Sequence, residues 1–173
     1  MPTISPFCDG ERIKRMLLQI AVFGGLDETQ LELTFGLLGK LVYDEGEIIF
    51  RKGESSQFIY IIESGAVELR IGEGETMMEK AVLQNGACFG EASFIGIHRH
   101  SATARCLTRS EILTLSRSAF LELQHRDLRL FSLLILNLAR ELARRLQMND
   151  RILLHHHLGG SQNGPPVAVK ASQ

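Results

Sequence analysis

The spacing of apolar residues changes at Leu41, and this change constrains the fold more than any other feature of the chain. Before it, apolar residues recur at the three-to-four spacing of helices; after it, they form short runs that end at glycine-containing turns. Val67, Leu69 and Ile71 alternate with charged side chains, which predicts a strand with one buried face. Short, frequently interrupted strands favour a sandwich or a jelly roll. The other predicted strands are Ile48–Phe50, Phe58–Glu63, Met77–Leu83, Thr103–Leu107 and Ile112–Leu115.

Helical patterns precede this β region. Residues 11–38 show apolar residues on one helical face, and Phe23-Gly24-Gly25 breaks the pattern into two parts. Asp27, with Gln30 three places later, forms a capping box for the second helix, which is predicted at Glu28–Leu38.

After Ser116 the pattern becomes helical again. A short helix is predicted at Ala119–Gln124, followed by a long helix that Asp127 caps and that ends near Leu154. The chain is therefore predicted to be mainly β with flanking helices: an antiparallel β jelly roll (a double-stranded β-helix) with N-terminal helices and a long C-terminal helix. We expect an N-terminal arm at residues 1–10, the domain with its C-terminal helices at 11–154, and a disordered tail at 155–173.

Composition sets broad limits on function. The 173 residues suffice for one domain, and 19 Lys and Arg against 20 Asp and Glu give no overall attraction to nucleic acid or to an anionic membrane. No apolar run approaches the roughly 20 residues that span a bilayer, and the N-terminus lacks a basic start followed by an apolar stretch. We therefore expect a cytoplasmic protein without membrane contact. The three cysteines lack paired spacing, which indicates reduced thiols.

The most informative segment begins at Phe89 and has the sequence Phe-Gly-Glu-Ala-Ser. A bound phosphate needs converging backbone N–H groups and small residues that allow close approach. Gly90, Ser93 and Ser101 are such small residues. The carboxylate of Glu91 does not favour a phosphate, but it accepts hydrogen bonds from a sugar hydroxyl. The segment is therefore compatible with a sugar phosphate.

Together these residues resemble the cyclic-nucleotide-binding domain family of catabolite-activator-type regulators, protein kinase A regulatory subunits and cyclic-nucleotide-gated channels. The resemblance implies cyclic AMP or cyclic GMP as the ligand, with no further cofactor. It also implies that Glu91 holds the ribose 2′-hydroxyl with Gly90 nearby, while Ser93 and Ser101 offer amides to the cyclic phosphate. It covers roughly residues 12–154 and is carried by the Phe-Gly-Glu motif, the long terminal helix, Phe23-Gly24-Gly25-Leu26, Tyr60 and the glycines Gly46, Gly53 and Gly65.

One position departs from the family's pattern. The resemblance implies an arginine on the phosphate nine residues after the glutamate, and this chain has His100 there. Arg99 is the candidate substitute, but in an extended segment a shift of one residue turns the side chain to the opposite face. Neutral imidazole offers one N–H where guanidinium grips phosphate with two, so binding is expected to weaken by roughly ten- to a few hundred-fold. His100 is then the phosphate-side contact of a weakened site for a cyclic nucleotide or another small anion.

His98 and His100 also form the His-x-His step from which cupins supply two metal ligands. The glutamate that cupins place a few residues later is missing after Ser101. The run His155-His156-His157 cannot turn three rings to one ion from a helix and indicates a polar helix end. We predict no metal site, and a cupin-like metalloprotein is kept as a minor alternative.

The long C-terminal helix is predicted to form a homodimer, because its apolar stripe is wider than packing on a barrel requires and exposed stripes usually find a partner. Arg145 and Asn149 interrupt the stripe, so a long coiled coil is not expected. Only a Gly-, Pro- and Ser-rich stretch follows Leu154, so we expect no helix-turn-helix and no direct sequence-specific DNA binding. The predicted dimer residues are Phe131, Ile135, Leu138 and Leu142.

The predicted function is regulatory. A ligand enters between Glu91 and Ser101, the C-terminal helices reposition, and a separate effector protein receives the signal. We expect no enzymatic activity, because neither a nucleophile–base pair nor paired carboxylates form a recognisable site. The main alternative is a ligand-free structural or interaction module that retains the fold with a degenerate pocket.

Overall fold

The computed structural model describes residues 3–4, 10–72 and 78–158. In this part of the chain, two helices precede the main β region, a short one interrupts it, and two follow it. The helices are α1 (Gly10–Gln19), α2 (Glu28–Gly36), α3 (Glu91–Ile95), α4 (Arg117–Arg126) and α5 (Leu128–Leu158), with a 3-10 turn at Ala21–Phe23 between α1 and α2.

The strands are β1 (Thr3–Ile4), β2 (Leu38–Tyr43), β3 (Ile48–Phe50), β4 (Phe58–Ser64), β5 (Val67–Ile71), β6 (Met78–Leu83), β7 (Cys88–Phe89), β8 (Thr103–Cys106) and β9 (Ser110–Ser116). They form a five-stranded sheet in the order β1-β2-β9-β4-β7 and a four-stranded sheet in the order β3-β8-β5-β6. All of these pairings are antiparallel. The predicted antiparallel β jelly roll with flanking helices and a long C-terminal helix is confirmed, and the two sheets together are called the β-roll.

Capping side chains start two helices as predicted. Asp27 accepts a hydrogen bond from the backbone N–H of Gln30 at 2.8 Å, and the Gln30 side chain accepts one from the backbone N–H of Asp27 at 3.2 Å. Asp127 accepts a hydrogen bond from the N–H of Leu130 at 2.9 Å. Each of these bonds satisfies an N–H group that has no partner within its own helix.

Some boundaries differ from the prediction. α2 ends at Gly36, because Leu38 already belongs to β2, which pairs with β9. Part of the expected N-terminal arm forms β1, which pairs with β2. α5 continues to Leu158, beyond the expected end near Leu154. Residues 159–173 of the expected tail lie outside the described residues.

Strand β4 separates two apolar clusters. Ile59 and Ile61 face the helices, where they join apolar side chains of α1, α4 and α5, whereas Tyr60 and Ile62 face the interior of the β-roll. Because side chains alternate along a strand and both faces are covered, β4 is buried through its centre. This double burial explains why its sequence is a continuous apolar run rather than a strict alternation.

The apolar stripe of α5 packs against the domain itself, which corrects the argument for the dimer. Leu138, predicted to contact a second copy, is buried in the core of its own chain, and Leu142 is half-buried. The width of the stripe is thus used largely within one chain, and the homodimer stays a prediction. The core-facing residues of α5 are Leu130, Leu134 and Leu138, with Phe131, Leu133 and Ile135 packed beside them. The large apolar residues that its described part exposes are Leu128, Leu136, Leu146 and Met148.

A buried amide fixes α5 to the N-terminal part of the domain. The side-chain nitrogen of Asn137 donates hydrogen bonds to the carbonyls of Val22 at 3.1 Å and Gly24 at 2.8 Å. These bonds hold the middle of α5 against the 3-10 turn. Within the described ranges, no helix is both long and apolar enough to cross a membrane.

Candidate functional site

The turn from β7 into α3 determines where Glu91 lies. Gly90 has φ +81°, in the left-handed region that glycine adopts at little cost. A Cβ atom at Gly90 would also lie 2.9 Å from Cδ2 of Tyr60. Both the backbone conformation and the close approach to Tyr60 therefore require glycine, and the turn that results directs Glu91 towards the inside of the domain.

Glu91 is 2% exposed. The carboxylate that the sequence assigns to a sugar hydroxyl is therefore buried in the domain. Its Oε1 accepts a hydrogen bond of 2.6 Å from Nη1 of Arg145 on α5. A carboxylate removed from water needs such partners, because the lost hydration costs several kcal/mol per ion. The proposed ribose contact is thus tied directly to the C-terminal helix.

Arg145 forms two further hydrogen bonds besides the one to Glu91. Its Nη2 donates to the backbone carbonyl of Cys88 at 2.6 Å, and its Nε donates to Oε1 of Glu141, one helical turn earlier, at 3.0 Å. Burial disfavours the charge on Arg145, but the carboxylate of Glu91 and its other neighbours outweigh this and raise the pKa of the guanidinium. Arg145 is therefore a permanent cation that bridges α5 to the β7–α3 turn.

His100 is 3% exposed, and its ring stacks on Phe50 with 3.6 Å between the ring centroids and 9° between the planes. Burial lowers the pKa of His100, an effect that the charge of Glu54 opposes without cancelling. The imidazole is therefore neutral at neutral pH. Its Nε2 is buried and has no hydrogen-bond partner among the described residues, which leaves it available to a ligand.

Aromatic rings connect His100 to the turn that carries Glu91. Phe50 lies 5.4 Å from Tyr60 and 6.0 Å from Phe89, measured between ring centroids, and Tyr60 stacks on Phe89 at 5.2 Å. Phe89 is followed by the Gly90 turn. The two most informative residues of the predicted site thus border one aromatic interior of the β-roll. Burial raises the pKa of Tyr60, so its hydroxyl stays protonated near neutral pH.

The other predicted site residues surround the loop between α3 and β8. Ser93 is half-buried within α3, and Ser101 is exposed. Arg99 is also exposed, and its Nη1 donates to the carbonyl of Gly53 at 2.8 Å. Arg99 and the buried His100 thus point to different sides of the segment, as the shift of one residue predicts.

The described part of the chain contains no group of three or more His, Cys, Asp or Glu side chains that could hold a metal ion. His98 is exposed whereas His100 is buried, so the His-x-His step does not present both rings to one surface. Burial also raises the pKa of Cys88 and Cys106, which keeps both thiols protonated.

The model of the cyclic nucleotide-binding domain family matches residues 40–127. The chain belongs to this family. The resemblance inferred from Phe89, Gly90 and Glu91 is therefore confirmed, and the matched region includes the aromatic interior, α3 and His100.

The individual proteins that are similar to this chain are consistent with its membership of this family. The cyclic AMP receptor protein of Thermus thermophilus is 34% identical over 130 residues, which cover 75% of this chain and 58% of that protein. The crystal structure of the Thermus thermophilus catabolite activator protein superposes with a TM-score of 0.69 at 33% identity, over 77% of this chain and 61% of that chain. A cyclic nucleotide-binding domain from Methylobacillus flagellatus superposes with a TM-score of 0.75 over 91% of this chain and 86% of that one; at 20% identity it shows the fold alone. The chain thus spans about three fifths of the Thermus proteins that it matches.

Arg145 is the site residue that the sequence motifs did not identify. It follows Leu138 and Leu142 along the apolar stripe of α5, where a charged residue is unexpected. Such a residue needs a buried partner, because arginine is rarely buried unpaired. That mismatch is the signal that could have found it, although nothing local indicates Glu91 as the partner.

Proposed function

We propose that this domain senses cyclic AMP or cyclic GMP and signals through α5 to a separate effector protein, in a binding role without catalysis. The observation that carries the proposal is the bond between Glu91, the proposed ribose contact, and Arg145 of α5. A ligand that reaches Glu91 meets the helix that would report its presence. Membership of the cyclic nucleotide-binding domain family supports the ligand class.

In this proposal, four of the predicted site residues contact the ligand. Glu91 accepts a hydrogen bond from the ribose 2′-hydroxyl, and the backbone amides of Ser93 and Ser101 meet the cyclic phosphate. The free Nε2 of His100 supplies the side-chain contact on the phosphate side. Signalling follows only if the ligand binds one arrangement of α5 more tightly than another, since a ligand with equal affinity for both shifts neither.

A structural or interaction module is the second candidate. It is favoured by the charges around the site: His100 is neutral, Arg99 is bonded to the Gly53 carbonyl, and Glu91 already has Arg145 as a partner. In this alternative the fold is retained and no nucleotide binds.

Glu91→Gln is expected to weaken nucleotide binding by about tenfold or more, because a neutral amide is a poorer acceptor for the ribose hydroxyl than a carboxylate. Isothermal titration of the purified chain with cyclic AMP and with cyclic GMP measures the change. Glu28→Gln removes the same charge from the exposed first turn of α2 and should leave the affinity unchanged. Equal affinities for the wild type and Glu91→Gln would contradict the assigned contact.

The affinity for a cyclic nucleotide is expected to fall as the pH rises, because His100 titrates. Burial lowers the pKa of unliganded His100 from its ordinary value of 6.5, whereas a bound phosphate favours the protonated ring and raises the pKa in the complex. Binding is therefore tightest below the unliganded pKa. It weakens as the pH passes through the unliganded and bound values and levels off above both. Titrations near pH 5 and pH 8 measure the difference.

Two variants at His100 test whether this residue causes the pH dependence of binding. His100→Gln cannot gain a proton and should bind with the same affinity at both pH values. His100→Arg stays charged and should bind more tightly than the wild type at pH 8. If His100→Gln retains the pH dependence of the wild type, another group is responsible for it.

A further inference from the structure

The guanidinium of Arg145 is bonded to Oε1 of Glu91, one of the two carboxylate oxygens that could accept a hydrogen bond from a ligand's hydroxyl. Its Nη1 lies 2.6 Å from Glu91 Oε1, and its Nη2 lies 2.6 Å from the carbonyl oxygen of Cys88. Glu91 is almost fully buried, so few directions of approach to its carboxylate are open. A hydroxyl that reaches Oε1 therefore meets the arginine already bonded there.

We infer that Arg145 competes with the ligand's 2′-hydroxyl for Glu91 and thereby sets the affinity of the site and its selectivity for ribose over deoxyribose. The inference rests on the proposed function, in which Glu91 accepts the ribose hydroxyl. An N–H donor and an O–H donor at Oε1 use the same acceptor atom, so the arginine acts there as an internal substitute for the sugar.

A neighbouring residue of α5 orients the guanidinium of Arg145. Glu141, one turn before Arg145 on α5, accepts a hydrogen bond from Arg145 Nε at 3.0 Å, so the two remaining nitrogens of the fork point towards Glu91 and Cys88. A side chain fixed in this way loses little rotamer freedom when it binds, which strengthens it as a competitor.

The arginine can also be displaced. Its side chain is 37% exposed, whereas that of Glu91 is 2% exposed. A released guanidinium returns to water and keeps Glu141 as a partner, while the carboxylate left behind receives the ribose hydroxyl in exchange. Ligand binding and this docked position of Arg145 then exclude each other, and removal of the arginine raises the fraction of chains that can bind.

The test is a titration of the full chain with cyclic AMP and with 2′-deoxy cyclic AMP. Arg145→Met removes the donors and keeps the apolar stem; we expect roughly a tenfold gain in affinity for cyclic AMP and little change for the deoxy ligand, which has no hydroxyl to compete. Arg145→Lys keeps a cation on the helix but loses the fork, so its affinity should lie between those of the wild type and Arg145→Met. If Arg145→Met does not fold, the affinity of Arg145→Lys is compared with that of the wild type instead. Arg129→Gln removes an arginine from an exposed position of the same helix and should change neither affinity.

The outcomes separate this inference from the function on which it rests. If Arg145→Met binds cyclic AMP more tightly than it binds 2′-deoxy cyclic AMP, and the wild type shows no detectable binding, both are supported. If the wild type binds cyclic AMP and the Arg145 variants bind it no more tightly, competition is overturned while the proposed function stands. If the two ligands gain equally, the arginine blocks the pocket without competing for the hydroxyl, and the inference is again overturned. If neither the wild type nor any variant binds either ligand, the proposed function fails and the inference fails with it.

Discussion

Lys40→Met is expected to lower the free energy of unfolding by about 3 kcal/mol, which corresponds to a fall of roughly 6–12 °C in the melting temperature. The ammonium of Lys40 lies 3.0 Å from Glu63 Oε2 and 2.8 Å from Glu111 Oε2. Burial disfavours its charge, but hydrogen bonds to Glu111 and Glu63 outweigh this and raise the pKa of Lys40. Methionine fills the same space and leaves the Glu63 side chain, which is 1% exposed, with the half-exposed Arg12 as its remaining ion-pair partner among the described residues. Thermal and urea unfolding measure the loss.

Two variants show whether the loss comes from the stranded carboxylate. The double variant Lys40→Met/Glu63→Gln removes both buried charges and should be less destabilised than the sum of the two single variants. Lys14→Met removes an ammonium whose partners, Glu11 and Glu32, are exposed, and it should have little effect. Additive losses in the double variant would show that Lys40 and Glu63 are not coupled.

This buried network illustrates what a local pattern predicts and what it does not. The charge on Lys40 interrupts an apolar segment, but its partners come from β4, β9 and, through Glu63, from α1. Periodicity states which face a residue shares with its neighbours a few positions away. It does not state which distant strand will lie beside that face, so a buried ion pair between strands is invisible to it.

Short-range features were predictable for the same reason. The strand at Val67–Ile71 and the caps at Asp27 and Asp127 depend on residues at most four positions apart, and these elements are confirmed. The expected alternation of burial along that strand is wrong, because Glu68 is buried at 7% exposure whereas Ile71 is exposed at 38%. Strand β7 was not predicted, because two residues carry no period. Cys88 and Phe89 form a strand only through their pairing with β4.

In the candidate site too, local motifs predicted some residues, whereas contacts between distant residues were not predictable. The Phe-Gly-Glu motif indicated Glu91, and the position nine residues later indicated His100 as a departure from the family's pattern. The burial of Glu91 could not be inferred, because its partner Arg145 lies 54 residues away on a helix whose docking is a tertiary event. The stripe on α5 was assigned to a second copy for a related reason: periodicity shows that Leu138 needs an apolar neighbour but not that the neighbour belongs to its own chain.

Gly65→Ala is expected to lower the free energy of unfolding by about 3–5 kcal/mol, the sum of two costs. Gly65 joins β4 of one sheet to β5 of the other and has φ +105°, where a residue with a Cβ is strained. A Cβ would also lie 2.8 Å from the carbonyl oxygen of Arg109 and 2.8 Å from Cα of Ser110. Because both of these atoms belong to the backbone, no side-chain rotation relieves the contact, and the start of β9 has to move. Urea unfolding of the purified variant measures the cost.

Gly86→Ala separates strain from overlap. Gly86 has φ +81°, in the left-handed region where a residue with a Cβ atom is strained, but a Cβ there would meet nothing within 4 Å. This variant therefore carries the backbone term alone and should lose about 1–2 kcal/mol. The difference between the two variants is the cost of moving β9, the strand that pairs with both β2 and β4 in the five-stranded sheet. If both variants lose the same amount, the turn at Gly65 accommodates a methyl group, and the contact with Arg109 and Ser110 does not constrain the β-roll.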